Sequence, residues 1–297
     1  MNHEDETRLG VGIIGCGRVG AVMGRALREA GHALIGVTAT SEASLDRAEA
    51  MLPGVPVLDI ETVVERAELV LFTVSDDVLP ELVSGLAQLG RFKAGQIIMH
   101  CAGRYGTEVL APAAGSGAIP IALHPALSFT GTSIDLPRLR EATIAVTAAR
   151  TVLPIGQALV VEIGAEPIVV PEADRALYHA ALAHASNHTV TILSQSLEML
   201  TGLGVENPAR VLTALVEASV GNTLQAGPSA LTGPVSRGDI DTVTAHLDAL
   251  GELAVEQGST EVRDAYRCLA KATAARAVRN GTISDAQALA LIELLGS

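Results

Sequence analysis

Cysteine, positive charge and long uncharged runs are all scarce in this chain, and each shortage excludes something. The three cysteines, Cys16, Cys101 and Cys268, stand far apart. No Cys-x-x-Cys occurs and three thiols cannot pair completely, which fits a reduced, cytoplasmic setting. Lys and Arg number 20 against 33 Asp and Glu, a formal net charge of −13. So acidic a chain offers no basic face to a phosphate backbone, and nucleic acid is not expected as a partner. A small anionic molecule needs only one local cation or a helix N-terminus, so the charge does not exclude it. No uncharged apolar run reaches the length of a membrane span, and no membrane partner is expected. Residues 1–8 are polar and acidic, unlike a secretory signal, and read as a loose tail. No metal site is expected. His184 and His188 stand four apart on a predicted helix, but they lack the intervening Glu of His-Glu-x-x-His and an obvious third ligand.

What is present is apolar and patterned. The chain is 48% hydrophobic over 297 residues, enough for a full core and about two domains. Its organising stretch is Val11-Gly12-Ile13-Ile14-Gly15-Cys16-Gly17-Arg18-Val19-Gly20, an apolar run leading into Gly-x-Gly-x-x-Gly and then a predicted helix. Such a strand–turn–helix is the signature of a dinucleotide site. Gly15 permits the tight turn, Gly17 lets the backbone approach a pyrophosphate, and Gly20 lets the helix lie against the strand. Gly15, Cys16, Gly17, Arg18, Val19 and Gly20 are the expected pyrophosphate contacts, with the helix N-terminus facing the phosphates. Cys16 reads as a small residue of the turn that the core tolerates.

Further strands are expected at 33–38, 55–58, 69–74, 96–99, 119–123, 141–147 and 167–170, with helices between several of them. That alternation implies a doubly wound parallel sheet of the Rossmann type. At the end of the second strand, where an NAD site places an acidic residue, the chain reads Val37-Thr38-Ala39-Thr40-Ser41. Thr40 and Ser41 suit a 2′-phosphate, with Arg18 or Arg47 to pair with it, so NADP is expected over NAD. Alternatively, Thr40 and Ser41 cap the next helix. Val74, Ser75 and Asp76, at a strand's carboxyl end, are expected near the nicotinamide ribose, as is Cys101. Ser75 and Asp76 are equally good helix N-caps ahead of Pro80. Two strands end in histidine. His100 reads as structural or functional, and His124, before Pro125 and near Ser128, likewise.

After Pro171 the strand pattern stops. Helices are expected at about 172–200, 208–225, 239–256, 260–279 and 284–295, which gives a Rossmann domain over 9–170 and an all-α domain over 171–297. On the first of these helices His179, Ala183, Ser186 and Asn187 share a face. Arg237, in a Gly/Pro-framed loop, either binds an anion or pairs with Asp239 or Asp241.

Taken together, these residues resemble the Rossmann-like oxidoreductases that carry a helical C-terminal domain of unknown function. The resemblance rests on Gly15 to Gly20, His100-Cys101-Ala102-Gly103, His124-Pro125 with Ser128-Phe129, Tyr178-His179 with Ser186-Asn187, and Thr232-Gly233-Pro234 with Arg237-Gly238-Asp239. Members are described as NADP oxidoreductases, and some are encoded beside pantothenate-synthesis genes, which implies ketopantoate as a candidate substrate. The chain is also distantly similar to β-hydroxyacid dehydrogenases and ketopantoate reductases, which place a catalytic Lys one turn before an Asn on the first long helix of the second domain. Aligned on Asn187, the Lys position is Ala183, and His179 stands one turn further back as a substitute proton donor. The resemblance implies an NADPH-dependent reductase of a small carbonyl compound, such as a 2-keto acid. Its catalytic residues would be His179, Asn187, His124 and Ser128, with Ser128, Asn187 and Arg237 binding the substrate. Alternatives are an imine or deazaflavin-linked reductase, or a non-catalytic NADP(H)-sensing protein. A homodimer through the helical domain is expected.

Overall fold

β1 (Gly10–Ile14) is buried at all five positions because strands flank both its edges and helices cover both its faces. In this computed structural model, which describes residues 9–296, it sits inside a seven-stranded sheet. The expected tail over residues 1–8 lies outside the described residues. The other strands are β2 (Ala33–Val37), β3 (Leu69–Phe72), β4 (Ile97–His100), β5 (Ile119–Pro125), β6 (Thr143–Ala148) and β7 (Glu166–Val169), in the order β2-β1-β3-β4-β5-β6-β7. The chain leaves β1 outward to β2, then returns to pair β3 on the other side, so the winding reverses at β1. The carboxyl ends of β1 and β3 therefore open onto the crevice where doubly wound sheets bind ligands.

Helices cover both faces. On one, α1 (Arg18–Glu29) buries Met23 and Leu27 alongside residues of α2 (Glu42–Met51), which follows β2. On the other, α3 (Ile60–Arg66) and α4 (Leu79–Gln88) bury Val63, Val64, Val83 and Leu86 with the short α5 (Ala111–Ala114). The first face is completed by Leu139 of α6 (Asp135–Glu141) and by Leu159 and Val160 of α7 (Leu153–Glu162). Each fully buried Leu contributes roughly 2 kcal/mol.

Two expectations are corrected. Residues 55–58 form no strand; only an isolated bridge joins Val37 to Val57. The segment makes both bonds of that bridge, accepting Val37 N–H at Pro56 O and donating Leu58 N–H to Val37 O, but Pro56 has no N–H with which to extend it into a ladder. The sheet is also not wholly parallel, because β6 runs antiparallel to β5. The intervening segment stays near the carboxyl end of β5: Ala126 N–H bonds Thr143 O, so β6 begins where β5 leaves off.

The chain forms two compact units, one through His188 and one from Thr189. The boundary falls inside α8 (Arg175–Gly202), so the first turns of that helix belong to the sheet unit. The second unit holds the end of α8, then α9 (Pro208–Ala226), α10 (Pro234–Arg237), α11 (Ile240–Gln257), α12 (Glu261–Arg279) and α13 (Asp285–Leu294). Its core is small-residue packing, with Ala270, Ala274 and Ala277 of α12 against Val243, Leu291 and Leu295. Among the described residues no helix is long and apolar enough to cross a membrane.

Candidate cofactor turn and active-site cleft

The glycine turn is braced from both neighbouring strands. Gly15 adopts a left-handed φ of 98°, which a side chain would strain. Thr38 Oγ1 accepts from Gly15 N–H at 2.8 Å, and Thr73 Oγ1 donates to Gly15 O at 2.5 Å. Cys16 is buried against this frame, and burial raises its thiol pKa against the pull of Arg47. α1 starts at Gly17 with no side-chain cap and no acidic residue in its first turn. A Cβ at Gly17 would meet nothing within 4 Å, so the turn keeps an open side beside uncapped N–H groups. Those features fit a pyrophosphate.

At the end of β2, Ser41 is the N-cap of α2 in a reciprocal box with Ser44, and Thr40 N–H also bonds Ser44 Oγ. The capping reading therefore accounts for Ser41. Arg47 lines a cleft with Asp46, Thr132 and Ser133, and its buried Nε has no hydrogen-bond partner. Gly131 lies over both Arg18 and Arg47. Its loop is pinned by the fully buried Asp135, which accepts from the N–H groups of Thr130 at 2.7 Å and Gly131 at 2.8 Å. Beyond β3, Val78 rather than Ser75 or Asp76 is the N-cap of α4. Ser75 hydrogen-bonds Asp77, and Asp76 pairs with Arg104 at 3.6 Å.

The second feature is a cleft of about 370 Å³ at the carboxyl end of β5. His124 and Ser128 line it from one side, and His179, Ala183, Ser186 and Asn187 of α8 line it from the other. Four residues expected to act together thus converge: His124, Ser128, His179 and Asn187. The rings of His124 and His179 pack edge to face at 5.7 Å, and Ser128 Oγ lies 3.3 Å from Ser186 Oγ. Arg237 belongs to the other unit, exposed at the end of α10, where its charge helps lower the Asp239 carboxyl pKa behind the Thr242 hydrogen bonds that make Asp239 a helix cap. His184 and His188 contact each other at 2.8 Å on exposed turns of α8.

The loop beside the cleft histidines is held by three side chains, His100 and two that sequence reasoning did not single out, Arg175 and Glu172. His100 is fully buried: its Nε2–H donates to Gly106 O at 2.7 Å, and its Nδ1 accepts from Ala102 N–H at 3.1 Å. Both nitrogens are satisfied, so His100 is structural. Arg175, 1% exposed, donates from Nε to Tyr105 O and from Nη2 to Ala102 O. Glu172 accepts from Thr107 and Glu108 N–H. These grips set the 101–107 loop so that Gly103 faces the histidine pair. A Cβ there would lie 2.8 Å from His179 Nε2 and 2.9 Å from His124 Nε2. Cys101 is half-buried in the same loop, its thiol pushed up to about 12 by burial.

Burial pushes His100 down to about 4 against its Gly106 bond. Burial, then the Arg175 charge and the neighbouring His179 and His100, push His124 down to about 4. In the unfolded chain a histidine titrates near 6.5. Unfolding therefore takes up protons between about pH 6.5 and 4, so stability held above pH 6.5 falls as pH drops through that window. The urea midpoint is expected to be clearly lower at pH 5 than at pH 7.5. A midpoint that stays constant, with His100→Asn losing stability equally at both pH values, would contradict the assignment.

The fold and the braced turn define the class: an α/β protein of the dinucleotide-binding type. A Rossmann-like domain model matches residues 2–125, and the model of DUF2520, a domain of unknown function, matches residues 142–273. The two matches together span most of the chain. Among solved structures it is similar to a Bacteroides fragilis protein provisionally assigned as an NADP oxidoreductase, at 19% identity over 90% of this chain and 98% of that one, with a TM-score of 0.73. It is also similar to a Thermotoga maritima protein, at 22% identity over 91% and 99%, TM-score 0.64. A third is an imine reductase from Pseudomonas sp., at 16% identity over 97% and 100%, TM-score 0.63. At these identities the likeness is one of fold. The comparison with curated proteins finds no match.

Proposed function

We propose that the chain is an NADPH-dependent reductase of a small C=O or C=N compound. The observation that carries this reading is the convergence of His124, His179, Ser128 and Asn187 on one cleft at the carboxyl end of β5, in a chain whose β1–α1 turn fits a pyrophosphate. Gly15 to Gly20 would hold the pyrophosphate, and Arg18 and Arg47 the 2′-phosphate. Thr40, Val74, Ser75, Asp76 and Cys101 would lie along the rest of the cofactor. Bound NADPH supplies the hydride. Ser128 and Asn187 orient the acceptor, and the histidine pair delivers the proton. The name of the Pseudomonas relative supports keeping C=N acceptors beside C=O ones. The lining of the cleft includes no Lys or Arg, which favours an acceptor without a carboxylate over a 2-keto acid such as ketopantoate.

Two measurements test the reading. Calorimetry is expected to show micromolar NADPH binding, weaker for NADH, and NADPH oxidation is expected with a panel of neutral ketones and cyclic imines. Affinity for neither nucleotide would overturn it, and tight NADPH binding with no turnover across the panel would leave the sensing alternative. Arg47→Ala is expected to raise the Kd for NADPH about 10- to 100-fold and leave NADH nearly unchanged, as loss of one charge-assisted pair requires. An equal loss for both nucleotides would place Arg47 outside the 2′-phosphate site.

The same reading includes a homodimer through the helical unit. α9 has no buried residue, yet it carries Val211, Leu215, Val220 and Leu224 at 47–83% exposure. A helix of this length is marginal in water without a packed face. A second copy of the chain is the proposed cover, and sedimentation showing only monomer at micromolar concentration would refute it.

A further inference from the structure

We propose that Tyr178 feeds the reductive proton to the substrate through His124, and that Arg175 holds the negative charge left behind. The proposal rests on the reductase reading above and identifies the path of its proton.

Tyr178 lies in the first turn of α8 and meets the end of β5. Its hydroxyl is hydrogen-bonded to His124 Nδ1 at 3.2 Å, and the two rings pack edge to face at 5.6 Å. Arg175, three residues earlier on the helix, sets its guanidinium carbon 5.9 Å from the centre of the Tyr178 ring. That guanidinium is buried, its Nε and Nη2 are held by the carbonyls of Tyr105 and Ala102, and its Nη1 is buried without a hydrogen-bond partner. Burial raises the Tyr178 phenol pKa and the Arg175 charge pulls against it, so the cation offsets part of the cost of a negative phenol oxygen and makes the O–H the better donor of the pair. The Tyr178 O–H therefore donates to Nδ1, and His124 carries its own hydrogen on Nε2, the nitrogen on the side of Gly103 and His179.

Chemistry favours this pair over an isolated histidine. With its pKa near 4, His124 is protonated in only about 0.1% of molecules at pH 7. It is a poor acid alone and a good conduit when a donor stands behind it. As negative charge grows on the acceptor oxygen or nitrogen, the Nε2–H bond breaks and a new O–H or N–H bond forms on the substrate. The Tyr178 O–H bond breaks as Nδ1–H forms. His124 ends neutral, in the other tautomer, and the charge rests on the Tyr178 oxygen beside Arg175. Nε2 then takes a proton from water and Nδ1 returns its proton to the Tyr178 oxygen, which restores the phenol and the first tautomer together. The charged or titratable groups facing His124 are Arg175, His179, His100 and Tyr178. No carboxylate is among those that shift it.

The test uses the full-length chain with ¹⁵N-labelled histidine, assigned by His124→Asn, alongside steady-state kinetics. Wild-type His124 is expected as a single Nε2–H tautomer that stays unprotonated down to about pH 5. Tyr178→Phe keeps the ring's volume and removes the donor. It is expected to mix the tautomers and lower kcat about 100-fold, with KM and NADPH affinity within about threefold. The kcat profile of the wild type should show no histidine limb near pH 6.5. An Nδ1–H tautomer, ordinary titration near 6.5, or a Tyr178→Phe enzyme within about twofold of wild-type kcat would overturn the proposal. Should no acceptor be turned over, the reductase reading fails by itself, and the tautomer still decides the pair.

Discussion

Gly20→Ala is expected to abolish measurable NADPH binding and to destabilise the chain by about 3 kcal/mol. The cause is geometric. A Cβ at Gly20 would stand 2.1 Å from Gly15 O and 2.4 Å from Thr73 Oγ1. The first of these is backbone and cannot turn aside. The second is the hydroxyl that braces Gly15 from β3. Relief requires α1 to move off β1, which strips Met23 and Leu27 from the core and swings the uncapped N–H groups away from the turn. A drop in melting temperature on the order of 8 °C corresponds to that cost. Gly17→Ala is the control, because its Cβ meets no protein atom. It should melt like wild type and still weaken NADPH binding, since it fills the space the turn leaves for a phosphate. If Gly20→Ala kept wild-type melting and a Kd within about twofold, the assignment of this turn would be wrong.

Much of this frame was legible in the residues because it is local. Gly15 to Gly20 announce a strand, a turn and a helix within one stretch. The helices after Pro171 end within a few residues of where Gly202, Gly227 and Gly258 stop them. What failed was longer in range. Residues 55–58 carry the valines of a strand, but the pairing stops at one bridge because Pro56 has no N–H to extend it. The direction of β6 was invisible because an apolar run buried on both sides reads the same either way.

The candidate cleft was half legible. His124, Ser128, His179 and Asn187 could be picked out because strand ends and helical spacing predict where polar residues gather. Arg175 could not. An arginine in a first turn after Glu172 and Asp174 reads as a solvated surface residue, and only the tertiary fold buries it under the carbonyls of Ala102 and Tyr105. Tyr178 was noticed as a neighbour of His179, but its partner His124 lies 54 positions away in sequence. Asp135 was passed over in the same way. Its buried carboxylate, in the first turn of α6, fastens the loop above Arg18 and Arg47.

Gly103 sits in the loop that His100, Glu172 and Arg175 hold, and Gly103→Ala is expected to reduce kcat about 100-fold while NADPH affinity stays within about twofold. Its Cβ would fall 2.4 Å from His179 Cδ2, as well as against both Nε2 atoms. The loop cannot retreat, because His100, Glu172 and Arg175 hold it through the backbone of residues 102, 105, 106, 107 and 108. His124 is held at its other nitrogen by Tyr178. His179 must therefore give way, and a displacement near 1 Å of a group that positions or protonates the substrate costs about 10² in rate. The glycine turn at the front of the sheet is untouched, so cofactor binding and the first-unit core should persist. Kinetics, calorimetry and a thermal melt on the same preparation separate the outcomes. A fall in kcat with wild-type NADPH affinity and a melting temperature within a few degrees would place the proton-delivering histidines against this loop. Wild-type kcat in the alanine variant would mean that catalysis does not use the histidine pair at all, and a loss of NADPH affinity equal to the loss of rate would mean that Gly103 lies in the cofactor's path instead.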